Sequence, residues 1–332
     1  MRRNATLYMV TIKDVQQSIS KELGELNAII RDTLRSPNAL MQQVVDNFLA
    51  TQGKQIRPML VILSGKFFGT MSDRVLRAGA AFELLHNASL IHDDVVDESR
   101  LRRGVATVNS LWDNHVAVLV GDFFTSGALY CAACCGDRRI IDTLARIGRD
   151  LSLGEIEQID AARSHILSEE SYFSIIRRKT ASLFRGCVEV GGYASAAPQT
   201  QLEDLMDYAE AFGLCFQIKD DIFDYFDNPE FGKPTGNDLR EGKVTLPLIY
   251  AFSKHDAPHR AEMLEILDRS DLSSDDISTL ISFAKEQGGI EYAYTTMERL
   301  YAEAEKILDK YPDSDEKEAF RGLFRYVIER TI

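Results

Sequence analysis

Apolar residues recur along most of this 332-residue chain at the three- and four-residue spacing of one helix face. Residues 12–34 show the pattern first, with polar residues between the apolar ones. The same spacing predicts further helices at about 38–51, 73–98, 114–135, 138–161, 168–191 and 201–227, then a series of amphipathic helices from Leu246 to Ile332. No Asn-Gly or Asp-Gly hairpin turn separates alternating strands. The pattern therefore predicts an all-α protein.

The composition is that of a soluble globular protein, with 27% charged and 45% hydrophobic residues. The net charge of −13 argues against nucleic acid as a partner and against general attraction to anionic membranes. An anionic substrate would have to be met locally, by metal ions and a few arginines and lysines. Because no linker or short repeat marks a boundary, we predict a single domain over residues 1–332.

The five cysteines lie in apolar helical surroundings, and we predict that they are buried, reduced thiols. No signal peptide is visible, so the predicted location is cytoplasmic. The longest apolar segment, Val116 to Cys135, contains Asp122 and several small residues. It is predicted to be a buried core helix and not a transmembrane segment.

One stretch of charged residues interrupts an apolar helix. Asp93, Asp94 and Asp97 come first, and the adjacent Arg102 and Arg103 follow. In a helix, Asp93 and Asp97 lie one turn apart on the same face. Like charges this close repel one another, and in apolar surroundings they need a counter-charge. A hard divalent cation with oxygen ligands is the usual one.

The same spacing recurs in Asp220, Asp221 and Asp224, again among apolar neighbours. Two such faces, opposed across a helical bundle, would hold several magnesium ions and the anion that bridges them. The sequence therefore predicts Mg²⁺ as the cofactor.

Lys54 and Arg57 flank a turn at a predicted helix start, which suits an anion-binding site. The alternative is a solvated basic turn. His86 lies two turns before Asp93 and is expected to point toward the same cavity. Glu83 and His86 also form a Glu-x-x-His pair of the kind that builds di-iron sites, but no second copy is present.

Lys179 and Thr180 offer a cation and a hydroxyl to one anion from inside a predicted helix. Gln217 lies one turn before the second aspartate cluster. Lys233 and Lys243 belong to a loop rich in Gly, Pro and Lys, and are expected to fold over a metal-bound anion as a lid.

In this order, the motifs resemble those of the trans-isoprenyl diphosphate (polyprenyl) synthases over nearly the whole chain. The departure is near Lys54, where Thr51-Gln52-Gly53 and Gln55-Ile56 replace a second glycine and a further basic residue that the family often has. The resemblance implies an isoprenoid-synthase helical bundle around a deep central cavity, usually a homodimer. It implies elongation of an allylic diphosphate, such as farnesyl diphosphate, by successive condensations with isopentenyl diphosphate.

The resemblance also implies a role for each matching residue. Three magnesium ions would lie between Asp93, Asp97 and Asp221, with Asp94, Asp220 and Asp224 as nearby ligands or supporting groups. The allylic diphosphate would bind those metals together with Arg102, Lys179, Lys233 and Lys243. Isopentenyl diphosphate would bind Lys54, Arg57, His86 and Arg103. Dipoles from Thr180, Gln217 and the Lys179 carbonyl would stabilise the allylic carbocation.

Product length should depend on the residues beneath the first aspartate motif. Ala88 lies five residues before Asp93, roughly 7–8 Å along a helix, and Ser89 follows it. In this family a bulky aromatic at that depth stops the growing chain, so these small residues predict a product of C30 or more. Candidates for the cavity floor are Leu84, Leu85, Phe123, Phe124 and Tyr130.

Several alternatives remain open. The chain could be a short-chain (C15–C20) synthase, or a non-catalytic subunit of a heteromeric prenyl synthase, although both aspartate motifs are intact. A terpene cyclase or head-to-head condensing enzyme would not need the separate Lys54, Arg57 and His86 pocket. Two coincidental acidic helix faces would predict no magnesium dependence. Peripheral membrane contact is plausible for release of a long lipid, without a transmembrane segment.

Overall fold

A computed structural model describes residues 10–50, 53–69, 71–102, 104–164, 166–226, 235–269 and 271–331. In these residues the chain forms helices and one short antiparallel hairpin, so the all-α prediction is confirmed. The helices are α1 Ile12–Ser18, α2 Ser20–Thr33, α3 Ala39–Ala50, α4 Ile56–Phe67, α5 Asp73–Val96, α6 Val108–Leu111, α7 Asn114–Cys134, α8 Arg138–Arg163, α9 Glu169–Ile176, α10 Ser182–Ala194, α11 Gln199–Phe223, α12 Asn237–Arg240, α13 Leu246–Ser253, α14 Arg260–Leu267, α15 Ser274–Glu286, α16 Gly289–Leu308 and α17 Asp315–Glu329. The hairpin strands are β1 Leu101–Arg102 and β2 Val105–Ala106, and a π-helical turn, Arg177–Ala181, joins α9 to α10.

The centre of the bundle is built from α4, α5, α10 and α11. Helix α5 packs along α7, while α10 packs against α4, α8 and α11. The α4–α10 contact is close because α10 carries Gly191, where a Cβ atom would lie 2.6 Å from the carbonyl oxygen of Val61. Fully buried rings such as Phe82, Phe184 and Phe212 fill the space between these helices. The two helices that carry the aspartate motifs, α5 and α11, are thereby held within one core.

Two of the predicted helices are interrupted. The predicted helix over residues 12–34 is two helices, α1 and α2, with a break at Ile19. The predicted helix over 168–191 contains the π-helical turn, which an apolar pattern does not distinguish from regular helix. The loop predicted after α11 contains the short helix α12. His255 and His259 lie between α13 and α14.

Helix α7 is only partly a core helix, contrary to the sequence prediction. Val118, Leu119, Leu129 and Tyr130 are exposed on it, and so is Cys134, whereas the other four cysteines are buried. All five thiols are free. Among the described residues, α7 is the one helix long and apolar enough to cross a membrane, but a core helix passes the same test. The periodicity of α7 failed to show its exposed face because both faces are apolar.

Candidate active site

The candidate residues meet at a cavity of about 1280 Å³ between α5, α8, α10, α11 and α17. The predicted residues that line it are Lys54, Arg57, His86, Ser89, Asp93, Asp94, Arg102, Lys179, Thr180, Gln217 and Asp220. A neighbouring cavity of about 130 Å³ shares Lys179, Thr180 and Gln217 with it. This smaller cavity adds Asp221 and Lys243 to its walls. Arg103 and Lys233 lie outside the described residues.

The first aspartate motif lies at the end of α5, where a hairpin folds back on it. Gly104 (φ +76°) makes the turn that pairs Arg102 with Val105. Arg102 thereby reaches Asp94, with Nε 2.9 Å and Nη2 2.8 Å from Oδ1. Burial raises the pKa of Asp93 to about 6, with Lys179 opposing the shift and Glu155 and Asp97 adding to it. Burial removes the water that would stabilise the ionised carboxylate of Asp93, so a cation bound beside it would stabilise that charge instead.

The three aspartates of the second motif have three different partners. Asp221 is buried and accepts hydrogen bonds from Tyr172 Oη (2.6 Å) and Gln217 Nε2 (2.8 Å). Burial raises its pKa to about 7 against those two bonds. Asp220 Oδ1 accepts from Arg330 Nη2 at 2.5 Å. Asp224 accepts from backbone N–H groups, which separates it from the other two.

Asp224 begins a series of contacts that connects the two aspartate motifs through α12 and Lys243. Its carboxylate accepts from the backbone N–H groups of Asn237 (2.9 Å) and Asp238 (3.0 Å). Beyond α12, Lys243 Nζ lies 3.7 Å from Asp97 Oδ1. Although burial alone would lower the pKa of Lys243, the carboxylates of Asp97 and Glu241 raise it above its ordinary value.

The described residues contain no group of three or more His, Cys, Asp or Glu side chains that could hold a metal ion by themselves. The carboxylates instead face one another across the cavity, and several carry raised pKa values. This donor set fits Mg²⁺, which commonly binds one or two carboxylates and completes its shell with phosphate oxygens and water.

The π-helical turn projects Lys179 and Thr180 into both cavities. Lys179 Nζ lies 2.5 Å from Glu155 and 2.6 Å from Gln158, both on α8. Thr180 Oγ1 donates to Gln217 Oε1 at 2.7 Å. The insertion of one residue into a helix re-aims neighbouring side chains, and such π-bulges occur often at functional sites.

A basic pocket lies beside the two motifs. Arg57 Nη1 lies 2.9 Å from His86 Nε2, and the guanidinium stacks over Phe184 at 4.6 Å. Lys54 Nζ donates to the hydroxyl of Tyr326 and lies over its ring. The side chains predicted to bind isopentenyl diphosphate are therefore close together, with Arg103 as the one member outside the described residues.

Four residues of the site were missed from the sequence. Arg330, just after α17, stacks on Phe216 and pairs with Asp220. Tyr172 and Gln158 support Asp221 and Lys179. Asp238 lines the smaller cavity, and burial together with Asp221 and Asp224 raises its pKa well above the ordinary value. The one-turn spacing of Glu155 and Gln158 could have signalled a polar face on α8, whereas no local pattern marks Arg330.

The residues predicted to control product length differ in whether they line the large cavity. Ser89 lines the large cavity, whereas Ala88 (1% exposed) and Leu85 (8%) are buried and do not line it. Phe124 packs edge-to-face on Phe48, a cavity residue, with ring centroids 5.2 Å apart. Tyr130 is 60% exposed.

Comparison with known proteins identifies similar chains. The family model described as polyprenyl synthetase matches residues 38–283. A curated protein named octaprenyl diphosphate synthase, from Escherichia coli (strain K12), is 30% identical over 325 residues, covering 97% of this chain and 99% of its own.

Solved structures agree with this result. A decaprenyl diphosphate synthase from Rhodobacter capsulatus superposes with a TM-score of 0.91 at 34% identity, over 97% of this chain and 99% of the other. A polyprenyl synthase from Caulobacter crescentus CB15, complexed with calcium and isoprenyl diphosphate, has a TM-score of 0.90 at 30% identity, over 98% and 99%. The fold and the order of the site-bearing helices are thus shared over nearly the whole chain.

Proposed function

Since this chain belongs to the polyprenyl synthetase family, we propose that it makes a long-chain, all-trans polyprenyl diphosphate from an allylic diphosphate and isopentenyl diphosphate. It is a prenyltransferase that acts by successive head-to-tail condensations. The observation that carries the proposal is that aspartates of both motifs, Asp93, Asp94 and Asp220, line one large cavity with Arg102 and Lys179. The smaller cavity of Asp221 and Lys243 adjoins it, and a separate basic pocket lies beside it.

The allylic diphosphate would lie between the two motifs. Asp93, Asp97 and Asp221 would hold Mg²⁺, with Asp94 and Asp220 as supporting groups, and the cations Arg102, Lys179, Lys233 and Lys243 would bind the diphosphate oxygens. When bound, the metal would neutralise charge that develops on the leaving diphosphate. Lys179 is paired with Glu155 and Gln158, and Lys243 is paired with Glu241 and Asp97, so both are held near the place where that charge would appear.

Isopentenyl diphosphate would bind in the pocket of Lys54, Arg57, His86 and Arg103. When the allylic carbon–oxygen bond breaks, the electron pair leaves with the diphosphate and a carbocation remains. Thr180, Gln217 and the Lys179 carbonyl present oxygen dipoles beside it, which stabilise positive charge without trapping it. The double bond of isopentenyl diphosphate then attacks the cation, and the proton lost from the new cation passes to the released pyrophosphate. No side-chain base is required.

Ser89, a small residue on the cavity side of α5, supports a long product, of C30 or more. It leaves space one turn before Asp93, and the cavity is lined beside it by Leu151, Ser152 and Ile156 of α8. Leu85 and Ala88 are buried and do not line this cavity. Substituting them would therefore change the depth of the cavity only if neighbouring side chains moved.

We also propose that two copies associate through the exposed face of α7. The exposed positions on this helix recur at intervals of three or four residues over its full length, and they are mostly apolar or small: His115, Val118, Leu119, Asp122, Thr125, Ser126, Leu129, Tyr130, Ala133 and Cys134. Monomeric proteins rarely expose so long an apolar stripe. A two-fold dimer is the commonest assembly that would cover it. Because its thiols are free, the proposed location is the cytoplasm, with peripheral membrane contact during product release.

The function is tested by incubating purified protein with Mg²⁺, farnesyl diphosphate and labelled isopentenyl diphosphate, then sizing the products. We expect long all-trans chains, with no turnover when the allylic diphosphate is supplied alone. Ser89→Phe should shorten the products, because the ring projects into the cavity instead of the packed core. Ala88→Tyr tests the deeper position, and Ser278→Phe, on the exposed face of α15, serves as the control.

The outcomes separate the alternatives. Products that stop at C15–C20 in the unmodified protein would favour a short-chain synthase. No incorporation would favour a partner-dependent subunit, whereas consumption of the allylic diphosphate alone would favour a cyclase or a head-to-head condensing enzyme. Long chains unaffected by either substitution on α5 would show that the growing product follows another route.

A further inference from the structure

The carboxylate of Asp224, the third aspartate of the second motif, is engaged by the backbone of a later segment. Oδ1 accepts from the N–H of Asn237 and Oδ2 accepts from the N–H of Asp238, at 2.9 and 3.0 Å. The carbonyl of Asp224 also accepts from the N–H of Gly236 at 2.9 Å. The first N–H groups of a helix have no partner within it, and a carboxylate satisfies them well. Asp224 therefore caps α12 from the end of α11.

The segment that starts at this cap, residues 236–242, packs against the core. Leu239 is buried, and Gly236 (φ +73°) fits where a Cβ atom would lie 2.3 Å from Ile277 Cγ2. The chain then reverses at Gly242 (φ +74°). These contacts fix the backbone from Gly236 to Gly242 relative to the core. The cap by Asp224 holds the start of this segment, and it therefore helps to set the position of the next residue, Lys243.

That residue is Lys243, whose N–H donates to the carbonyl of Asp238 at 2.7 Å. Its Nζ lies 3.7 Å from Asp97 of the first motif and 2.6 Å from Glu241. A continuous series of contacts thus runs from the second aspartate motif to the first, through backbone bonds to Asp224 and one long side chain.

We propose that Asp224 is a positioning residue, which holds Lys243 opposite the first aspartate motif by capping α12, and that it is not a metal ligand. This role differs from the metal-ligand role that the sequence suggested. The inference rests on the proposed function, in which Lys243 binds the allylic diphosphate. Asp220 and Asp221, whose bonds are to side chains, keep the roles proposed above.

The first test needs no turnover. Hydrogen exchange of the backbone amides in residues 236–245 is compared between the unmodified protein, Asp224→Ala and Asp224→Asn, without metal or substrate. We expect exchange to be roughly tenfold faster or more in Asp224→Ala, because the capping bonds are lost. The amide of asparagine has one acceptor oxygen in place of two, so Asp224→Asn should keep one of the two capping bonds and show exchange between that of the unmodified protein and that of Asp224→Ala. Unchanged exchange in Asp224→Ala would overturn the proposal.

The matched control is Asp14→Ala. Asp14 accepts from the N–H of Thr11 at 2.8 Å at the start of α1, a carboxylate–backbone cap at another helix start. Its loss should leave both the exchange of residues 236–245 and the prenyl transfer activity unchanged. Faster exchange of residues 236–245 in this variant would show general loosening and would count against a specific role for Asp224.

The second test is kinetic. Asp224→Ala should raise KM for the allylic diphosphate roughly tenfold, with the Mg²⁺ concentration for half-maximal rate unchanged. Since both residues act through the same series of contacts, the double variant Asp224→Ala/Lys243→Ala should have no higher KM for the allylic diphosphate than Lys243→Ala alone. A tenfold shift in Mg²⁺ dependence, or additive losses, would overturn the positioning role. Absence of activity in the unmodified protein would refute the proposed function, while the exchange result would still decide whether Asp224 holds α12.

Discussion

Arg57 combines two interactions that a lysine cannot reproduce together. Its guanidinium contacts His86 at 2.9 Å, and its Cζ atom lies over the Phe184 ring, 4.6 Å from the centroid. A planar guanidinium offers several donors in fixed directions and stacks on rings, whereas an ammonium group is a strongly hydrated point charge. The two partners therefore preset the direction in which Arg57 presents its remaining N–H groups to an anion.

Arg57→Lys should weaken isopentenyl diphosphate binding. Losing a hydrogen bond to a charged group costs about 1.5–3 kcal/mol, so KM for this substrate should rise roughly tenfold or more. KM for the allylic diphosphate should be unchanged. Steady-state kinetics with each substrate varied in turn provides the measurement, and Arg139→Lys, which alters a distant arginine stacked on Tyr193, is the control. A rise in both KM values would contradict a separate pocket.

A second prediction at the level of single residues concerns the cysteines. Burial raises the pKa of Cys135 to about 12 and that of Cys131, Cys187 and Cys215 above the ordinary value. Since the thiolate is the reactive form, these four thiols should stay unreactive at pH 8. Titration with a chromogenic disulfide should find at most one reactive thiol per native chain, and five after unfolding. Rapid reaction of two or more thiols in the native protein would contradict this burial.

At the scale of the elements, the site depends on a close contact between α8 and the π-helical turn. A Cβ atom at Gly154 would lie 2.8 Å from the backbone nitrogen of Lys179. The contact brings Lys179 to Glu155 and Gln158 on α8. The packing of α8 against the π-helical turn, and not any single side chain, thus determines where the ammonium group of Lys179 and the hydroxyl of Thr180 enter the cavity.

Gly154→Ala should displace this turn. Overpacking against backbone costs about 1–3 kcal/mol, so we expect a lower melting temperature and a fall in kcat/KM for the allylic diphosphate. Gly148→Ala is the matched control on the same helix, since its Cβ would approach nothing nearer than Leu85 Cδ1 at 4.0 Å. That change should be neutral or stabilising, because alanine favours helix over glycine by about 0.8–1 kcal/mol. Equal effects of the two substitutions would show that the contact is unimportant.

At the scale of the whole molecule, the exposed α7 face predicts a dimer. Leu119 is 62% exposed in the protomer, so Leu119→Asp should leave the protomer folded. It would place a second carboxylate three residues from Asp122 and is expected to shift the protein from dimer to monomer. Light scattering after size exclusion gives the mass. Leu40→Asp, at a 47% exposed position on α3, should leave the mass unchanged, and a monomeric unmodified protein would contradict the proposal.

The sequence by itself determined the fold class, the family and the order of the chemical motifs. The predictions of an all-α fold and of a prenyltransferase are confirmed by the structure and by its relatives. These features are local: helical periodicity depends on neighbours three and four residues away, and the Asp-Asp-x-x-Asp spacing puts its carboxylates on one helix face. For the same reason, the sequence could not separate Asp220, Asp221 and Asp224, which look equivalent within their motif.

Only the tertiary structure decided which partner each residue has. Arg330 reaches Asp220 from the end of the last helix, and Asp224 bonds with Asn237 and Asp238 of a later segment. The interruption of one predicted helix by a π-helical turn and the exposure of one face of α7 were likewise invisible in the apolar pattern. Periodicity records only that a residue is apolar, whereas its burial and bonding depend on which distant segments pack against it, and that packing is fixed only when the whole chain folds.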